Sequence, residues 1–168
     1  GINLGLAGVS TYAHDIAGYQ SGTNPPSTKE LFFRWTTLGA LTPVMRTHHG
    51  IDARRNWRFD ADADTLAHYA RWARFHVQLY PWLDAHSAEA ETAGVPILRA
   101  LALAAPGDAR SWTVSDEYLL GGALLVAPVV DEGATSRTVY LPPGEWTSWD
   151  GTVQATGPAE LVVAAGME

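Results

Sequence analysis

Thr42-Pro43-Val44-Met45-Arg46-Thr47-His48-His49-Gly50 is the stretch on which the fold turns. Pro43 suits the first position of a strand, where a missing N–H is tolerated. Val44 and Met45 supply a short buried strand, and Gly50 closes it with a turn. The strand carries an arginine and two histidines to its end. Side chains alternate across a strand, so Arg46 and His48 share one face while Thr47 and His49 take the other. If the strand belongs to a parallel α/β barrel, its C-terminal end is where such barrels keep their chemistry. Spacing alone also allows both histidines to be loop residues with satisfied hydrogen bonds, and leans toward that reading.

Upstream, residues 4–13 are small and apolar and suit a buried strand of a parallel sheet. His14 and Asp15 follow at its end in a loop that runs to Tyr19, and residues 20–26 are polar and rich in Gly and Pro, an irregular surface loop. Ser27-Thr28-Lys29-Glu30 has capping-box spacing, with the Ser27 hydroxyl bonding the third helical N–H and Glu30 reaching back. Leu31, Phe32, Trp35, Leu38 and Leu41 recur at helical steps, which predicts a helix over about 28–40 with Trp35 on its core side. If the two strands are neighbours, His14, Asp15 and Tyr19 stand beside Arg46 and His48 at one rim. That cluster is polar, partly aromatic and suited to a polyhydroxylated ligand.

Downstream, residues 51–62 form a second loop, with Arg54, Arg55 and Arg58 around Trp57. Asp60, Asp62 and Asp64 imitate the start of a calcium loop. Thr65 stands where the turn glycine belongs and Arg71 where the bidentate Glu belongs, so the pattern fails. Asp64 is better explained as an N-cap, with Asp60 and Asp62 near the positive end of the helix dipole. A long helix over 65–93 is predicted, kinked or divided at Pro81 and ended by Gly94 and Pro96. His68, His76 and His86 lie on it at spacings that match no metal pair. From residue 95 the texture turns to short strands. Residues 96–103 and 123–130 read as strands, 115–120 as a capped helical turn, and 137–141 and 145–149 as strands joined by Pro142-Pro143-Gly144. Asp150-Gly151 signals a hairpin into a last strand over 160–164.

The chain has 168 residues and a net charge of −7, with 46% apolar residues, a globular and acidic composition. The charge argues against nucleic acid, which calls for a basic patch, and offers no basic face to an anionic membrane. No cysteine is present, which excludes disulfides and thiolate metal sites and leaves the compartment undecided. No apolar run approaches the roughly 18 residues of a membrane span. No cofactor or metal is called for, because there is no nucleophile elbow, phosphate loop or zinc spacing. Gly1 in place of Met suggests a chain cut from a longer one.

Six stretches, in order, carry a resemblance. Gly8-Val-Ser-Thr-Tyr-Ala-His-Asp15-Ile-Ala-Gly-Tyr19 resembles the "G-V-P-F-W-G-x-D-I-G-G-F" segment of glycoside hydrolase family 31, and Pro43-Val-Met-Arg46-Thr-His48 resembles its "P-x-x-R-x-H". Leu79-Tyr-Pro-Trp-Leu, Gly94-Val-Pro-Ile-Leu-Arg99, Asp116-Glu-Tyr-Leu-Leu-Gly121 and Leu124-Leu-Val-Ala-Pro-Val129 continue the match. The resemblance implies α/β then all-β architecture. Residues 1–94 would be the last two βα units of a TIM (β/α)8 barrel, and 95–168 a truncated proximal C-terminal β-sandwich. A complete barrel alone needs about 250 residues.

The same resemblance implies a retaining α-glycoside hydrolase, α-glucosidase-like, whose nucleophile and acid/base both lie before residue 8, so that none of its catalytic residues is in this chain. Substrate-binding roles carry over to His48, Asp15, Tyr19 and Arg46. His48 would bond sugar hydroxyls, Tyr19 stands where Phe is common, and Arg46 orients carboxylates or simply forms a structural salt bridge. The implied partners are an oligosaccharide or α-glycoside substrate and the rest of the parent chain. Residues 10–14 and Ala17 depart from the family pattern and leave the exact sugar open. Xylosides and other α-glycosides are the near alternatives, and a non-catalytic carbohydrate-binding or scaffold protein the distant one. Expressed alone, the chain should be inactive and prone to aggregate at its unpaired edge.

Overall fold

A computed structural model describes residues 1–50 and 54–167. The first three positions of the loop read over 51–62 therefore lie outside the described residues. The chain opens with a short helix α1 (Ile2–Leu6), then strand β1 (Ala13–Asp15), helix α2 (Lys29–Ala40) and strand β2 (Val44–Arg46). Helices α3 (Ala63–Gln78) and α4 (Tyr80–Ala93) follow. β1 and β2 pair in parallel with α2 as the crossover, a βαβ unit. Strands β3 (Leu98–Ala100), β4 (Tyr118–Leu120) and β5 (Leu124–Val126) form an antiparallel sheet, interrupted by helix α5 (Leu101–Ala104) and a 3-10 turn (Ala109–Trp112). β6 (Ser136–Thr147) and β7 (Gln154–Ala164) close the chain as a long hairpin.

The start of the chain corrects the expectation of one strand over 4–13. Small residues there serve close approach: a Cβ on Gly5 would sit 2.5 Å from the carbonyl oxygen of Leu98. Gly8, at φ 87, ends α1 in a Schellman motif, with Gly8 N–H donating to the Gly5 carbonyl and Val9 N–H to the Leu4 carbonyl. Nor is β2 buried as expected. Val44 is 38% exposed, because among the described residues only β1 flanks it.

Helix α2 forms as predicted, but its cap is Thr28, whose hydroxyl accepts from Leu31 N–H at 3.2 Å. Ser27 is occupied elsewhere, its hydroxyl accepting from Trp57 N–H at 2.9 Å. Glu30 does not reach back to form a box. It accepts from Arg34 Nε at 2.7 Å and from Gly133 N–H at 2.8 Å, fastening α2 to a turn a hundred residues on. Asp62, not Asp64, caps α3, accepting from Thr65 N–H at 2.7 Å, while Asp64 pairs with Lys29. Pro81 divides the long helix. Leu79 ends α3, and α4 begins with Pro81 in its first turn, where the missing N–H costs nothing. Gly94, at φ 69, ends α4.

Four further expectations give way beyond residue 94. The apolar run at 96–103 is strand only to Ala100 and then helical. Residues 118–120 are a central strand rather than a helical turn, because Tyr118, Leu119 and Leu120 are buried and hydrogen-bonded on both edges. The strand read at 123–130 is confined to 124–126. The two strands expected around Pro142-Pro143-Gly144 are one strand, β6, with an irregularity between Leu141 and Gly144. Proline lacks a ladder donor and is accommodated at bulges and sheet edges. Gly157 faces that bulge, where a Cβ would fall 1.9 Å from the carbonyl oxygen of Pro142.

Two cores result. Ile16, Ala17, Phe32 and Phe33 pack beneath the parallel pair with Trp35, Met45 and Tyr69. Leu79, Leu83, Ile97, Leu98, Tyr118, Leu120 and Val126 form a second core shared by the end of the helical half and the antiparallel sheet. His68 and His76 are structural, donating from α3 to the carbonyls of Phe33 (3.1 Å) and Ala40 (2.9 Å) on α2.

Candidate active-site rim

The parallel register sets Asp15 directly against Arg46 at the C-terminal ends of β1 and β2. Adjacent side chains on one face of neighbouring strands are in reach of each other, and Arg46 Nε donates to Asp15 Oδ1 at 2.7 Å. The same guanidinium extends the other way, Nη2 meeting His48 Nδ1 at 2.5 Å. Arginine can only donate, so Nδ1 accepts and the ring proton belongs on Nε2, which is left to donate outward. One planar fork thus orders an acid and an imidazole, two hydrogen bonds from one side chain. A lysine ammonium has donors enough but no rigid fork to fix both directions.

Tyr19 joins them through a tight turn. Gly18 N–H donates to the Asp15 carbonyl at 2.8 Å, with Ala17 at φ 63 and Gly18 at φ 86. The turn brings the Tyr19 ring edge-on to His48, with centroids 4.9 Å apart and planes at 68°. Gly50 N–H donates to the Tyr19 carbonyl at 2.7 Å and ties the two loops together. All four residues singled out from sequence, Asp15, Tyr19, Arg46 and His48, therefore meet in one contiguous rim.

His14 does not join them. It lies on the opposite face of β1, where its Nδ1 accepts from the Trp35 indole at 2.7 Å, and burial pushes its pKa down. His49 also points away. Its ring nitrogens are buried without partners among the described residues, and burial, then Arg58, lower its pKa. Among the described residues no cluster of His, Cys, Asp and Glu is arranged to hold a metal ion, and no helix is long and apolar enough to cross a membrane. A cleft of about 660 Å³ lies between Ala17, the loop at 20–28, the Leu31–Arg34–Trp35 side of α2 and residues 128–132. Sequence reading missed it, because it depends on contacts between residues a hundred positions apart, such as Arg34 Nη2 to the Ala134 carbonyl at 2.7 Å.

Comparison with known proteins identifies the family. The glycosyl hydrolases family 31 TIM-barrel domain matches residues 1–86, and the glycosyl hydrolase family 31 C-terminal domain matches residues 94–166. A sulfoquinovosidase of Agrobacterium fabrum is 43% identical over 93% of this chain, and one of Escherichia coli 40% identical over 89%. Among solved structures, a sulfoquinovosidase from E. rectale in complex with an aza-sugar inhibitor superposes with a TM-score of 0.91 at 33% identity, covering 99% of this chain and 25% of that one. A Flavobacterium johnsoniae dextranase complexed with glucose gives a TM-score of 0.87 at 32% identity, with 99% and 21% covered. The chain spans about a quarter of the length of these two curated relatives. With both of its halves matched in order by the domains of one family, this chain belongs to glycosyl hydrolase family 31.

Proposed function

We propose that residues 1–94 are the last two βα units of the catalytic barrel of a retaining α-glycoside hydrolase, and 95–168 the first part of the β-sandwich that follows it. The rim of Asp15, Arg46, His48 and Tyr19 binds the sugar in the cleaved subsite. The observation that carries this reading is the Asp15–Arg46–His48 chain of hydrogen bonds at the C-terminal ends of two adjacent parallel strands, the end of such sheets where ligands bind. In this reading the parent protein supplies nucleophile and acid/base. Retaining glycosidases set these carboxyls about 5–5.5 Å apart around an oxocarbenium-like transition state. The rim supplies fixed donors and acceptors for sugar hydroxyls, each worth about 0.5–1.5 kcal/mol, more where a charged group takes part.

A terminal α-glucoside is the substrate that the family resemblance first implied. The identity to two sulfoquinovosidases favours a second, an α-sulfoquinovoside, over an α-xyloside. Assay of the full-length parent on aryl α-glucoside, α-sulfoquinovoside and α-xyloside separates them by kcat/KM. Turnover of one or more with retention of anomeric configuration is expected, with none from the isolated 168-residue chain. No turnover of any α-glycoside by the parent would overturn the hydrolase reading in favour of a non-catalytic carbohydrate-binding protein.

A further inference from the structure

We propose that Gly50 is a positioning residue for the rim, present because the Tyr19 ring occupies the place of a side chain at that position; the inference rests on the reading of the rim as a glycoside site. A Cβ on Gly50 would lie 2.6 Å from Tyr19 Cε1 and 2.8 Å from Cζ, closer than real Cβ atoms come. The φ of Gly50 lies outside the left-handed region, so its backbone conformation does not require glycine. What requires it is the ring. Two contacts hold Tyr19 at once: its carbonyl accepts from Gly50 N–H, and its ring packs across the bare Cα of the same residue.

The consequence of adding a methyl group follows from exposure. Tyr19 is 44% exposed, so its ring has a way out into solvent and the fold has no need to yield. Moving the ring outward takes it off His48. His48 itself stays, because its Nδ1 is bound to Arg46 independently of Tyr19. A methyl group at position 50 therefore divides the rim. The Asp15–Arg46–His48 chain remains, and the aromatic wall that a bound pyranoside would rest against is displaced.

Steady-state kinetics of full-length Gly50→Ala, Tyr19→Ala and the double variant test this on the preferred aryl glycoside. Gly50→Ala should raise KM roughly three- to tenfold, the size of one aromatic contact, with kcat within about twofold. In the Tyr19→Ala background the same substitution should change neither, because the methyl then meets nothing. An unchanged KM in Gly50→Ala, or an equal rise in both backgrounds, would overturn the proposal, the second by pointing to the backbone. If the wild-type parent turns over no α-glycoside, the hydrolase reading fails on its own. A crystal structure of full-length Gly50→Ala then decides the positioning claim, upheld by a Tyr19 ring displaced from His48 and refuted by a ring still seated on it.

Discussion

At the scale of single residues, the turn between β1 and Tyr19 holds an unusual choice. Ala17 adopts φ 63, a left-handed conformation that costs a residue with a Cβ about 1–2 kcal/mol. Replacing it with glycine removes that strain. It also removes a buried methyl worth about 0.8 kcal/mol and loosens the unfolded chain by about 0.4–1 kcal/mol. These terms nearly cancel. Ala17→Gly should leave stability within about 1 kcal/mol of wild type, while Ala17→Val, β-branched at the same φ, should lose more than about 2 kcal/mol. Urea unfolding midpoints of the two variants check this, and equal losses would contradict it. This residue was partly legible in the sequence, since the related segment carries Gly or Cys where Ala17 stands. Tyr19 and His48 were legible as neighbours from spacing once the two strands are paired, and β1 and β2 do pair. The Gly50–Tyr19 contact was not legible at all, because a glycine kept for a neighbour's ring looks in sequence like any turn glycine.

At the scale of elements, helices were read more faithfully than strands. The steps of α2 and α3, the break at Pro81 and the stop at Gly94 all rest on local chemistry that the sequence displays. The caps slipped by one or two residues because Ser27 and Thr28, like Asp62 and Asp64, are interchangeable locally. A distant partner decides the first pair, since Trp57 claims Ser27; Lys29 pairs with both Asp62 and Asp64 and does not decide the second. Strands β4 and β6 failed for a related reason, since a strand's length is set by the partner it pairs with. The cap at Asp62 has a measurable signature. The Thr65 backbone N–H, the Thr65 side chain and Lys29 together hold its pKa down to about 2. A depressed carboxylate contributes stability that is present above its unfolded value, near 4, and is lost as pH falls toward 2. Asp62→Ala should therefore lower the unfolding midpoint at pH 6, with the gap to wild type closing steadily below pH 4. A gap that stays constant with pH would show that the carboxylate charge is not what caps the helix.

At the scale of the whole molecule, the two halves are not independent pieces. One core takes Leu79 and Leu83 from the helices and Ile97, Leu98, Tyr118 and Leu120 from the antiparallel sheet, and the Tyr118 hydroxyl donates to the Leu41 carbonyl at 2.8 Å. α1 packs on β3 through Gly5. The sheet thus braces the back of the βαβ unit whose front edge carries the rim. Family membership follows from the order of six motifs and from the matching domains. The central claim is that this rim grips the glycoside being cleaved, and kcat/KM of full-length His48→Ala on the best aryl α-glycoside tests it most directly. Loss of this donor to the reacting sugar should lower kcat/KM by about a hundredfold or more, about 2.7 kcal/mol of transition-state stabilisation, with the unfolding midpoint little changed. A variant that turns over within threefold of wild type would place the sugar elsewhere and leave Asp15, Arg46 and His48 as a structural brace.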